Sequence, residues 1–145
     1  MPIDRKKYHP KWSLISQLIR LRRANNNCEV CGLMNYSVGF WDKKKWYDPQ
    51  HSQFPVDNLT TFKAAKAWAT AYNDEIGELY DPNTRKVCVV ILTVSHLDHD
   101  VKNNHFWNLK AMCQCCHLSH DRKDNAQRRK YGRTGRHYNQ LKISL

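Results

Sequence analysis

Two Cys-x-x-Cys pairs, Cys28 with Cys31 and Cys113 with Cys116, constrain this chain more than any other feature. A two-residue gap lets both sulfurs of a pair point at one tetrahedral ion, and two such pairs can close a four-thiolate site of the structural zinc type. The 81 residues between the pairs far exceed the roughly 15 to 20 of a compact zinc module. Loop-closure entropy grows only with the logarithm of length, so the long insertion does not forbid closure. The alternative is a set of buried free thiols. Cys88 stands inside an apolar run and reads as a small core residue. Cys115 lies between the ligands of the second pair, cannot share their direction, and carries no assignment.

At 145 residues the chain suits one domain with a modest core. Its 41% hydrophobic content argues against wholesale disorder, and a mean hydropathy of -0.79 predicts a wet, charged surface. No apolar run reaches the roughly eighteen residues that would span a membrane. The opening "MPIDRKKYHPKW" lacks the apolar segment of a secretory signal. The expected location is therefore cytoplasmic, where thiols stay reduced and cysteines bind metal more often than they form disulfides. Lys and Arg number 24 against 13 Asp and Glu, a net charge of +11, concentrated in "RKK", "IRLRR" and the tail "DRKDNAQRRKYGRTGRHYNQLK". Such a surface attracts polyanions, of which nucleic acid is the commonest. The bland alternative is a solvated basic face that aids solubility. Charge alone does not choose DNA over RNA, because phosphate attraction is blind to sequence.

Trp12, Ile15, Leu18 and Ile19 recur at helical spacing, broadened by Leu14 and Leu21, and predict an amphipathic helix of about three turns. The asparagines at 25 to 27 end it, and the "CEVCG" knuckle follows at once. Residues 34 to 58 show no sustained period and read as a long connection that packs through its aromatic side chains. A second helix carries Phe62, Ala65, Ala69, Tyr72 and Ile76 on one side. "YDPNTRK" is a turn signal. "VCVVILTV" (87 to 94) reads as one buried strand by length and β-branching. With no internal repeat and no low-complexity linker, a single domain is the reading.

The stretch "VSHLDHD...NN...NLKAMCQCCH" resembles the HNH endonucleases, and "IRLRRANNNCEVCG" resembles the helix and knuckle that supply the first zinc pair in their four-cysteine members. The likeness covers roughly residues 12 to 33 and 87 to 121. It implies an α+β fold with a ββα-metal core: a first strand near 87 to 95, a second near 109 to 112, and a helix from about Gln114. The domain then divides into a helix plus zinc knuckle (12–33), an insertion (34–86), the core (87–121) and a basic tail (122–145).

By the same resemblance His96 falls on the general base that activates water, a task suited to neutral imidazole. Asn108 falls on the central asparagine that holds the loop bearing the base. Cys28, Cys31, Cys113 and Cys116 would hold structural Zn2+. His117 falls on a ligand of a separate catalytic divalent cation such as Mg2+ or Mn2+, which would stabilise charge on the scissile phosphate. One position departs from the pattern: the usual Asp or His before the base is Ser95, a weaker ligand. Asp98 is the first candidate to replace it and His99 the second; otherwise the site is thinly coordinated or activity is lost. His99, His105 and His120 otherwise read as loop or surface residues, Asn103 and Asn104 as turn formers, and Trp107 as core. The implied activity is hydrolysis of DNA phosphodiester bonds, with double-stranded DNA as partner. Arg20, Arg22, Arg23, Arg128, Arg129 and Lys130 would grip its backbone. One such site cuts one strand, so a double-strand break would take a homodimer or two visits. The rivals are a nucleic-acid-binding zinc module without catalysis and a redox-active thiol protein.

Overall fold

The apolar run that reads as one strand is divided between two sheets. In the computed structural model, which describes residues 5–43, 45–47, 59–79 and 86–131, strand β3 covers only Cys88–Val89 and strand β4 begins at Thr93. Between them the backbone leaves one sheet for the other, with side chains from distant elements partnering its polar groups. Asn73 donates Nδ2 to the Val87 carbonyl and accepts its N–H through Oδ1, at 2.9 and 2.8 Å. Gln114 donates Nε2 to Val89 O (2.7 Å) and accepts from Ile91 N (3.0 Å). The buried Asn35 accepts from Leu92 N at 2.9 Å, and Val90 exchanges hydrogen bonds with Ser37 and Tyr36. Buried backbone groups must be paired, and three amides do here what a neighbouring strand would otherwise do.

Residues that read as a connection contain the rest of the first sheet. Strand β1 (Val38–Asp42) pairs antiparallel with β2 (Lys45–Tyr47) and, on its other edge, with β3, giving the order β2-β1-β3. These strands are too short for a period to show. Residues 48–58 lie outside the described part, as do 80–85 of the expected turn. Gly39 permits the tight packing: a Cβ there would overlap the Tyr47 carbonyl and the Trp46 ring. The helix α2 (Phe62–Leu79) lays Ala65 and Ala69 against Val38, Val87 and Val89, with Trp68 and Tyr72 flanking. Its small residues let backbone and sheet approach closely. Phe62 is exposed and outside the stripe assigned to it, and the Ile76 side chain lies outside the described part.

The second sheet is the hairpin of β4 (Thr93–His96) and β5 (Leu109–Met112), paired Thr93↔Met112 through His96↔Leu109. Helix α3 (Gln114–His120) follows from Cys113, and α4 (Arg122–Tyr131) continues it after a break at Asp121. The starts expected for the second strand and the helix agree with this. Residues 132–145 of the tail lie outside the described part.

The amino-terminal helix α1 (Trp12–Gln17) passes into π-helical turns over Leu18–Arg23, and only Ile19 is buried, against Leu109 and Ala111. Leu14, Leu18 and Leu21 are exposed, so the stripe is narrower than its spacing suggests. Two further readings are corrected. Cys88 is exposed, because β3 buries alternate side chains and Val89 takes the inner face. Trp107 is 74% exposed and stacks on His105 at 4.8 Å.

The architecture is α+β, with two small sheets and packed helices. No helix among the described residues is long and apolar enough to cross a membrane.

Candidate functional site

The four paired cysteines meet. Cys28 and Cys31 come from the knuckle, Cys113 from the end of β5 and Cys116 from the first turn of α3, with all four sulfurs within 4.8 Å of one another. The Cys31 and Cys113 sulfurs are 3.6 Å apart. That is far from the roughly 2.05 Å of a disulfide and close to the roughly 3.8 Å between ligands placed about 2.3 Å from a tetrahedral ion. Cys28 and Cys113 are buried in a small core with Val90 and Leu92, while Cys31 is exposed at the rim. Burial raises the Cys28 thiol, but the N–H groups of Cys31, Cys113 and Val30 outweigh it and bring the pKa down to about 7. Burial and the neighbouring thiols push Cys31 up to about 11 and raise Cys116 as well. Crowded thiols resist ionising together, and a divalent cation relieves that repulsion. The cluster therefore fits a metal ion such as zinc. Cys115 packs against the same small core.

An Arg23–Glu29 clamp holds the knuckle to β5. Arg23 donates Nε and Nη2 to the Glu29 carboxylate at 2.9 and 2.7 Å, and its other donations go to the carbonyls of Phe106 and Leu109. Glu29 also accepts from Ala111 N at 2.7 Å. The guanidinium lies over the Phe106 ring. Arg23 thus spends four of its five donors inside the fold. Of the other basic residues assigned to DNA, Arg22, Arg129 and Lys130 are exposed, Arg20 bonds the Ser16 carbonyl, and Arg128 pairs with Asp124 at 2.9 Å.

The loop between β4 and β5 is built around Asn108. Its Nδ2 donates to Asp98 Oδ1 (2.9 Å) and to the Asn103 carbonyl (2.8 Å), and its Oδ1 accepts from Asp98 N (3.2 Å). Leu97 N donates to the Asn108 carbonyl. Asp98 is committed to the same lattice, accepting also from Asp100 N and from Asn103 Nδ2 at 2.6 Å. Its slight burial raises the carboxyl pKa, and the bonds from Asn108, Asp100 and Asn103 more than reverse this, leaving it below the ordinary range.

The strand pleat sends Thr93 and Ser95 to one face of the hairpin and Val94 and His96 to the other. On the second face His96 is 6% exposed, stacked on Trp12 at 4.8 Å, with Nε2 3.1 Å from Asn104 Oδ1. On the first face Ser95 is buried, and Thr93 Oγ1 lies 2.8 Å from His117 Nδ1. The other nitrogen of His117 meets Asp121 Oδ2 at 3.2 Å. Among the described residues, no hydrogen bond or ring contact joins His96 to His117. The two ion ligands expected from the resemblance each have other partners. Asp98 is tied to Asn108 and Asn103, and both ring nitrogens of His117 are engaged.

What the fold does gather is His99, His120 and Asp121, whose ligand atoms lie within 4.8 Å of one another. The spacing of His117 and Asp121, four apart at the end of a helix, was a sequence signal that could have found the carboxylate. A shallow depression along α2 between Phe62, Lys66, Thr70 and Asp74 draws on that helix alone and includes none of these groups.

Comparisons with protein-family models, curated proteins and solved structures found no match.

Proposed function

We propose that this chain is a metal-dependent endonuclease that hydrolyses DNA phosphodiester bonds, built on the ββα-metal plan of the HNH family. The observation that carries the reading is the brace at Asn108, one side chain that ties both ends of the loop leaving His96. That is the task the resemblance assigns to the central asparagine. The order β4, loop, β5, α3 supports it, as does the four-thiol cluster, read as structural zinc, at the start of α3.

The resemblance assigns the base to His96, and the contact with Asn104 bears on its tautomer. Asn104 donates Nδ2 to the Lys102 carbonyl, so its Oδ1 faces His96 and can only accept. Neutral His96 therefore carries its proton on Nε2 and its lone pair on Nδ1, the atom that would take a proton from the attacking water. A turn closed by His99 N on the His96 carbonyl at 3.1 Å sets His99 one turn from the base. A divalent cation such as Mg2+ or Mn2+ supplies, when bound, charge neutralisation at the scissile phosphate. Double-stranded DNA would lie along Arg20 and Arg22 on one side and Arg128, Arg129 and Lys130 of α4 on the other. Cleavage of both strands would then call for a homodimer.

A second reading, a nucleic-acid-binding zinc module without catalysis, is favoured by the cover Trp12 places over His96 and by the buried Ser95 where the resemblance expects Asp or His. Supercoiled plasmid incubated with Mg2+ or Mn2+ separates the two. Nicking abolished by His96→Ala with DNA binding retained supports the enzyme. Binding with no cutting under either metal supports the module.

A further inference from the structure

The geometry points to a second metal site, distinct from the thiol cluster, in which His99, His120 and Asp121 hold a divalent transition-metal ion with a coordination position left open. Three side chains from two elements meet there. His99 sits in the β4–β5 loop with φ of +61°, in the left-handed region. His120 closes α3, and Asp121 is the residue at the break before α4. The His99 and His120 rings stack at 4.8 Å, and His99 Nδ1 lies 3.5 Å from Asp121 Oδ1.

Two of the candidate ligand atoms lack a hydrogen bond, Asp121 Oδ1 having only the 3.5 Å approach of His99 Nδ1. His120 Nε2 and Asp121 Oδ1 are cut off from solvent and have no hydrogen-bond partner. A buried carboxylate oxygen and a buried imidazole nitrogen without hydrogen bonds are costly, and native proteins rarely keep them so. One cation satisfies both. The ligand atoms lie within 4.8 Å of one another, near the roughly 3.4 Å separation of ligands about 2.1 Å from a tetrahedral ion. Two imidazoles and a carboxylate make a borderline set suited to Zn2+, Co2+ or Mn2+ rather than to Mg2+.

His117 takes a different part from the one its motif implies. Asp121 Oδ2 accepts from His117 Nε2, so His117 Nδ1 is left to accept from the Thr93 hydroxyl. Thr93 and His117 thereby hold the carboxylate with Oδ1 turned to the ion. His117 is a positioning residue, one shell outside the metal. The site does not depend on the nuclease reading, and its test uses no DNA.

The full-length protein, loaded with one equivalent of zinc to fill the thiols, is titrated with Co2+ and read by visible absorption, metal content per chain and the ring resonances of the histidines. A second ion should bind without sulfur-to-cobalt charge transfer, and it should shift the signals of His99 and His120 but not of His105. His120→Gln and His99→Gln should each weaken this ion about 100-fold while the thiol-bound zinc stays. His117→Gln should weaken it roughly 10- to 100-fold without abolishing it. Asp121→Asn should behave like His120→Gln; retained zinc and an unchanged circular-dichroism spectrum show that each variant is folded. Uptake of the thiol-bound ion alone by the wild type would overturn the proposal. So would a second ion that survives both His120→Gln and His99→Gln.

Discussion

Replacing Glu29 by glutamine tests whether the clamp between knuckle and hairpin is structural. The carboxylate accepts two bonds from Arg23 and one from Ala111 N, and the two side chains are only 20% and 21% exposed. Exposed ion pairs contribute about 0–1 kcal/mol, whereas removing one partner of a buried pair costs about 3–5 kcal/mol. Glutamine keeps one acceptor but turns an NH2 toward an arginine donor, so one charge-assisted bond becomes a donor–donor contact. With the partial exposure discounted, the loss should be about 2–3 kcal/mol. In a chain of this size that lowers Tm by roughly 6–12 °C. The assay is thermal and urea unfolding at a fixed, buffered zinc concentration, with Arg23→Met and the double variant completing a cycle. Burial raises the Glu29 pKa, but the bonds from Arg23 and Ala111 hold it below its ordinary value. Because the folded-state pKa is depressed, the wild-type advantage is complete above the unfolded value of about 4.3 and is lost as pH falls through the folded one. A loss below about 0.5 kcal/mol would refute the reasoning, as that is the range of ordinary surface changes. So would an Arg23→Met variant that keeps its stability and instead flattens the salt dependence of DNA binding, as loss of a phosphate contact would.

Cys113→Ser should leave the purified protein without its thiol-bound ion and grossly destabilised, since structural zinc contributes on the order of 10 kcal/mol; metal content and a chelator titration check this. Gly39→Ala should cost about 1–3 kcal/mol by overpacking against Trp46 and the Tyr47 carbonyl, and an unchanged urea midpoint would contradict it. Gln114→Leu strands Ile91 N and Val89 O, so it should destabilise by about 2 kcal/mol and speed amide hydrogen exchange at Ile91; unaltered protection there would count against the crossing described.

Much of the framework could be read without coordinates. The cysteine spacing allowed one four-sulfur cluster, and the starts of β5 and α3 were expected from the resemblance to the HNH motif, which is carried by a continuous stretch of chain. The hairpin β1–β2 was illegible, since strands of five and three residues are shorter than any window in which a period can declare itself. The exposure of Trp107 was missed for the opposite reason: an aromatic residue reads as core by type, whereas its partner here is the surface ring of His105.

The sequence by itself determined which residue types carry chemistry, that the cysteines fall into two Cys-x-x-Cys pairs, and that the chain is strongly basic. The tertiary structure alone decided that the valine-rich run divides between two sheets, that Arg23 serves the fold, and that His99 meets His120 and Asp121. The reason is common to all three. Periodicity and spacing report a residue's neighbours along the chain, but the partner of a buried amide, guanidinium or carboxylate is chosen by whatever polar group folding brings within hydrogen-bonding distance.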